Sequence, residues 1–343
     1  MAHTMTFAVG YQLPEEDEEP LVDVVRDFLP RIGEVYFPWL DMPSGRSPMT
    51  AAGGLVDWEG QARLEQDLRR LKHMGVRLDL LFNAACYGRH GMSRHLANLV
   101  CSTIAHLQQL VGLDLVTTTS PMIAGTVKQH FPDIEVRASV NMRIGTVKGM
   151  EYVADRFDSF TMQREYNRDL GRISELREWC DAHGKGLSML ANSGCLSFCS
   201  AQTFHDNLVA HESEVSETVN LSDTTPALCW DYYRDTENWV TCLQNSWIRP
   251  EDIKRYEAAF PLIKLATRMH ANPRRVVEAY CTGQFEGNLL DLLEPGHGPV
   301  LAPYTIDNAR FPADWFERTT SCDRRCQSCD YCASVLQEVL VSA

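Results

Sequence analysis

The chain has 343 residues, 44% of them hydrophobic, with 46 acidic against 32 basic side chains and a formal charge of −14. That length and apolar content are enough for a large core and exclude a mostly disordered chain. No run of about 18 apolar residues occurs, so no membrane-spanning helix is expected. The negative field repels phosphate backbones, so nucleic acid is not expected as a partner.

The chain starts Met1-Ala2-His3-Thr4 and passes straight into an apolar run, with neither a basic stretch nor a signal core. A cytoplasmic, reducing location is the expectation, in which the twelve cysteines stay thiols or metal ligands. The acidic run Glu15-Glu16-Asp17-Glu18-Glu19 reads as a solvated loop. Strand-like segments are Thr6–Tyr11, Glu34–Pro38, Arg77–Asn83, Asp114–Thr118, Glu135–Val140, Asp158–Met162, Gly186–Ala191 and Leu262–Thr267. Most are near-continuous apolar runs, which suits parallel strands covered on both faces. Amphipathic stretches such as Gln61–His73, Ser93–Val111 and Asp169–His183 lie between them. Alternation and count predict a (β/α)8 TIM-like barrel over residues 1–285. A doubly wound open sheet is the runner-up, because periodicity does not show closure.

About seventy residues separate the seventh strand from the eighth, against the few usual in such a loop. This insertion, residues 192–249, carries Cys195, Cys199, Cys229 and Cys242 and starts at the carboxyl end of a strand, where barrel enzymes keep their active sites. Just beyond it Pro250, Glu251 and Asp252 mark the first turn of a helix. Ala271–Thr282 reads as the last barrel helix, and residues 286–343 as a small cysteine-rich extension entered through the connector Pro295-Gly296-His297-Gly298-Pro299.

That extension holds Cys322, Cys326, Cys329 and Cys332 within eleven residues. Thiolates are soft ligands, and four at this spacing suit a tetrahedral zinc or an iron–sulfur cluster; so compact a run favours the cluster, with zinc the alternative. Arg324 and Arg325 offset the thiolate charge. The first three cysteines have the spacing of radical S-adenosylmethionine enzymes, but Cys332 fills the position those enzymes leave open, and the motif follows the barrel. Upstream, Cys195-Leu-Ser-Phe-Cys199 lets two sulfurs face one centre, which Cys229 and Cys242 would complete, with Cys86 a rival ligand on the same face. Cys101, Cys180 and Cys281 fall in helical stretches and read as core thiols.

At the end of the sixth strand Arg164 can hold a carboxylate and Glu165 can move a proton, or the two can form a rim salt bridge. His205 suits a base or a donor to a cluster sulfur. Asn83, Ser139, Asn141 and Asn192 end strands and suit ligand contacts or helix caps, while Lys264 and Arg268 suit an anionic substrate. No phosphate loop, hydrolase motif or nucleophile–base pairing stands out.

Taken together, Gln163-Arg164-Glu165-Tyr166-Asn167-Arg168-Asp169, Leu190-Ala-Asn-Ser-Gly-Cys195-Leu-Ser-Phe-Cys199, Ile248-Arg249-Pro250-Glu251-Asp252-Ile253 and Ile263-Lys264-Leu265-Ala266-Thr267-Arg268 resemble the U32 (collagenase-like) peptidase family, over roughly residues 5–290. The cysteine-rich tail resembles that of a bacterial subgroup. The resemblance implies a TIM-like barrel with a [4Fe–4S] cluster held by four cysteines near its mouth. It also implies, for several members, oxygen-independent hydroxylation in place of peptide hydrolysis. By the same resemblance Cys195 matches the first ligand, Cys199 stands near the second, and Cys229 and Cys242 near the third and fourth. Arg164, Glu165 and Arg268 match the family's charged positions. The family's Glu before the first cysteine and its His-Gly step are missing, with Ser188 and Asn192-Ser193 near those places.

The expectation is therefore an iron–sulfur enzyme with one or two [4Fe–4S] clusters. It would hydroxylate or otherwise redox-modify a small molecule or peptide, an anionic one suiting Lys264 and Arg268, through Arg164, Glu165 and His205. A U32-type peptidase is one alternative. A non-catalytic iron–sulfur or electron-transfer subunit serving a partner protein is the other.

Overall fold

The computed structural model describes residues 5–15, 17–40, 42–45, 57–222, 225 and 227–342. Residues 1–4 and Glu16, on which the readings of the N-terminus and of the acidic run partly rest, lie outside the described residues. Eight parallel strands close into a barrel in sequence order: β1 Thr6–Gly10, β2 Ile32–Pro38, β3 Arg77–Phe82, β4 Leu115–Thr118, β5 Glu135–Ala138, β6 Ser159–Thr161, β7 Gly186–Leu190 and β8 Leu262–Lys264. Closure is made by β8 on β1, with Thr6 opposite Leu262 and Ala8 opposite Lys264. The open-sheet alternative is thereby excluded. Each strand is buried along nearly its whole length because helices cover the outside and side chains fill the inside.

Helix starts follow their capping residues. Asp57, Ser93, Asp169 and Asn272 accept backbone N–H bonds from the first turns of Trp58–His73, Arg94–Leu110, Leu170–Ala182 and Pro273–Thr282. The turn opening at Pro250 differs from expectation: Pro250–Tyr256 is a 3-10 helix. Its buried residues, Pro250, Ile253 and Tyr256, recur every third position and so lie on one face of a three-residue period.

The lower half of the barrel interior is charged. Arg137 of β5 pairs with Glu34 of β2, Nη2 to Oε2 at 2.9 Å, and stands 3.8 Å from Asp79 of β3. Thr117 donates to Asp79 at 2.7 Å, and the Lys264 ammonium sits 3.7 Å from the centre of the Tyr36 ring. At the C-terminal end, β9 Tyr304–Ile306 and β10 Leu340–Ser342 pair antiparallel. This extension shares the barrel's core: Trp315 stacks on Trp247, and the Arg168 guanidinium lies 4.4 Å from the Trp247 ring centre and 5.2 Å from that of Trp315. Among the described residues no helix is long and apolar enough to cross a membrane.

Candidate metal and substrate site

The chain leaves β7 through Ala191-Asn192-Ser193-Gly194 and enters the cysteine loop. Asn192 is fully buried and commits its whole amide to backbone, donating to the carbonyls of Ala266 and Leu292 and accepting from Ala266 N–H. These bonds build the mouth. At Gly194 an added Cβ would lie 2.1 Å from the Pro295 carbonyl oxygen, so only glycine allows the 294–296 connector to pass. Asn245 ties the loop down, donating to the Gly194 carbonyl and accepting from Ser197 N–H. Phe198 is held at φ +54°, a conformation a non-glycine side chain adopts at some cost, with its ring edge-on to Tyr166.

This loop is a wall between two cavities. The first, about 710 Å³, is lined by Cys195, Cys199 and Cys229 together with Arg164, His205 and Glu294. Burial pushes the Cys229 thiol up to about 11, and the nearby Cys195 and Cys199 push it the same way, so the three thiols lie close together. Arg164 is 5% exposed, its Nε 3.7 Å from Glu165 Oε1. Asp206, also on the wall, is ion-paired with Arg143 at 3.1 Å.

The second cavity, about 650 Å³, lies across the loop and is lined by Cys322, Cys326, Cys329 and Cys332, with Glu165, Arg168 and Phe198. Cys322, Cys326 and Cys329 are exposed. Burial raises the Cys332 thiol to about 11; Arg168 opposes that shift, and the other three thiols add to it. The Arg324 guanidinium donates to the backbone carbonyl of Glu165 and lies within 5.9 Å of the Tyr166 and Phe198 ring centres, docking the tail on the mouth.

Other predicted residues fall elsewhere. Cys242 is 2% exposed and hydrogen-bonds with Tyr233, away from the lining of either cavity. Cys86 pairs with His211 beside a third cavity. Asn83 is buried and accepts from Ser44 and Gly45, shaping the loop after β2. Arg268 donates to Ser44 at 2.7 Å, and Lys264 belongs to the charged barrel interior. Arg164 and Glu165, adjacent in sequence, turn to different cavities. Sequence reading missed Glu294, which accepts from Met269 N–H and whose segment folds back through the Ser193–Glu294 bridge. No local pattern marks it, since its place comes from a long-range crossing.

All twelve cysteines are unbridged. Among the described residues no three His, Cys, Asp or Glu side chains are arranged as a closed ligand set for one metal ion. The donors that gather are nevertheless soft: three thiols on one cavity and four on the other.

No family model matches the chain. An uncharacterized protease of Methanocaldococcus jannaschii is 25% identical over 289 residues, covering 81% of this chain and 81% of that protein. The solved structure of a U32 peptidase aligns over 77% of this chain and 93% of its own, with a TM-score of 0.55 and 15% identity. The chain resembles the U32 peptidases. The barrel is common to this chain and the solved U32 structure, and the thiol-lined mouth lies at the carboxyl end of the strands, where barrels generally have room for a site.

Proposed function

We propose that the chain is an iron–sulfur enzyme of a reducing, cytoplasmic compartment that hydroxylates or otherwise redox-modifies a small, anionic molecule or peptide in the first cavity. The observation that carries this reading is the convergence of Cys195, Cys199 and Cys229 with Arg164 and His205 on one cavity at the barrel mouth. A sulfur-ligated cluster, when bound, supplies one-electron chemistry whose potential depends on its surroundings. Cys195, Cys199 and Cys229 would hold one such group, and Cys322, Cys326, Cys329 and Cys332 a second or a zinc ion. Arg164, buried on the cavity wall, would hold a substrate carboxylate, and the charge-assisted bond would orient it. His205 would move a proton at the substrate. Glu294 and Pro295 of the connector complete the lining of that cavity. Residues 195–199 line both cavities, so a group held by the C-terminal thiols would be either structural or an electron relay to the first cavity.

The test is iron and acid-labile sulfide per chain on anaerobically purified protein, with electron paramagnetic resonance. About eight of each would place clusters at both thiol groups, and about four at one. Zinc with no sulfide would overturn the redox reading. Peptide hydrolysis that survives cluster removal would establish the peptidase activity in the relatives' names.

A further inference from the structure

A third group of reactive side chains lies outside both cavities. Cys86 follows β3 and is half-buried, and its sulfur accepts the Gly88 N–H at 3.3 Å. His211, at the end of the helix Gln202–Ala210, lies beside that thiol, and its Nδ1 is 3.4 Å from Glu214 Oε2. Gly88 has φ +50°, and a Cβ there would lie 3.3 Å from His211 Cε1, so glycine both permits the turn and leaves room for the imidazole. His211 first, and the Gly88 N–H second, hold the Cys86 thiol below its ordinary range. Burial pushes the core thiols Cys101, Cys180 and Cys281 the other way. Beside this group is a cavity of about 600 Å³ lined by Arg89, His90 and His95 on one side and by Leu96, Leu99 and Met42.

We propose that Cys86, His211 and Glu214 form a nucleophilic thiol site that exchanges with small, carboxylate-bearing disulfides entering the cavity beside Arg89, His90 and His95. His211 takes the Cys86 proton, and Glu214 orients the imidazole and stabilises its cation. The Cys86 sulfur attacks one sulfur of the disulfide, the ligand's S–S bond breaks, and a mixed disulfide forms. The departing thiolate takes the proton from His211, so one disulfide and one thiol give one mixed disulfide and one thiol. The charged groups near the thiol and on the adjoining cavity, whose lining includes Gly88 and His211, are His211, Glu214, Arg89, His90, His95 and Glu212. None of them belongs to the proposed cluster ligands, so this site stands or falls apart from the iron–sulfur reading.

The test uses the full chain, purified anaerobically, with glutathione disulfide and cystamine as anionic and cationic probes and peptide mapping by mass spectrometry. Expected is modification at Cys86 before Cys101, Cys180 or Cys281, and faster with glutathione disulfide than with cystamine. His211→Gln should slow it roughly tenfold at neutral pH and move the midpoint of the pH–rate profile up. Glu214→Gln should move that midpoint less, in the same direction. Circular dichroism and melting confirm that each variant folds. An unchanged profile in His211→Gln, equal labelling of the core thiols, or preference for cystamine overturns the proposal. Iron content, measured on the same samples, reports separately on the cluster reading.

Discussion

The lower barrel interior and the barrel mouth handle polar groups in opposite ways. Below, Arg137, Glu34, Asp79 and Thr117 are buried and matched to one another by paired charges and hydrogen bonds. Above, three thiols surround one cavity and four line the next, several of them exposed. A buried charge needs its partner within the fold, whereas a thiol tolerates either burial or solvent and can await an external ligand. The interior therefore reads as structure and the mouth as chemistry.

That contrast can be broken experimentally. The largest effect is expected from Arg137→Met, which takes from buried Glu34 and Asp79 their bonded cation, leaving only Arg77 at 3.9 Å from Glu34 and Lys264 near Asp79, and should cost about 3 kcal/mol in urea unfolding. Adding Glu34→Gln should recover part of it. If instead Arg137→Met left stability unchanged and lowered iron content, the interior would belong to the chemistry.

A second effect concerns His297, which is 1% exposed between the rings of Trp230 and Tyr233. Burial pushes its pKa down to about 4 from 6.5. The unfolded chain therefore binds a proton that the folded one refuses. Its contribution is complete above pH 6.5 and is lost as pH falls toward 4. The loss is on the order of 3 kcal/mol. Urea midpoints measured across that window should fall, and His297→Phe should flatten the slope.

The smallest change in stability is expected from Cys329→Ala at the mouth. This exposed thiol should alter unfolding of the metal-free chain by no more than about 0.5 kcal/mol, while lowering the iron or zinc bound per chain. A large destabilisation without a change in metal would make Cys329 a structural residue and erase the contrast.

The eight strands and the capped helices were legible because burial on both faces leaves apolar runs, and caps need specific oxygens at specific places. Cysteine spacing showed which thiols are neighbours along the chain, as in Cys322–Cys332. It did not show that Cys242 is buried off the cavity lining, with Tyr233 beside both it and Cys229. That the Asn192 amide meets backbone was not legible, because a strand-end polar residue looks the same in sequence whether it meets substrate or backbone.

Local order, then, was set by the sequence itself: periodicity decided strand against helix, and loop length marked the insertion. Closure of the barrel, the two-cavity wall at Cys195–Cys199, the return of Glu294 over the mouth and the meeting of Cys86 with His211 were decided only in three dimensions. Each joins residues distant in sequence, and side-chain chemistry alone carries no information about which distant partner the packed core will bring within reach.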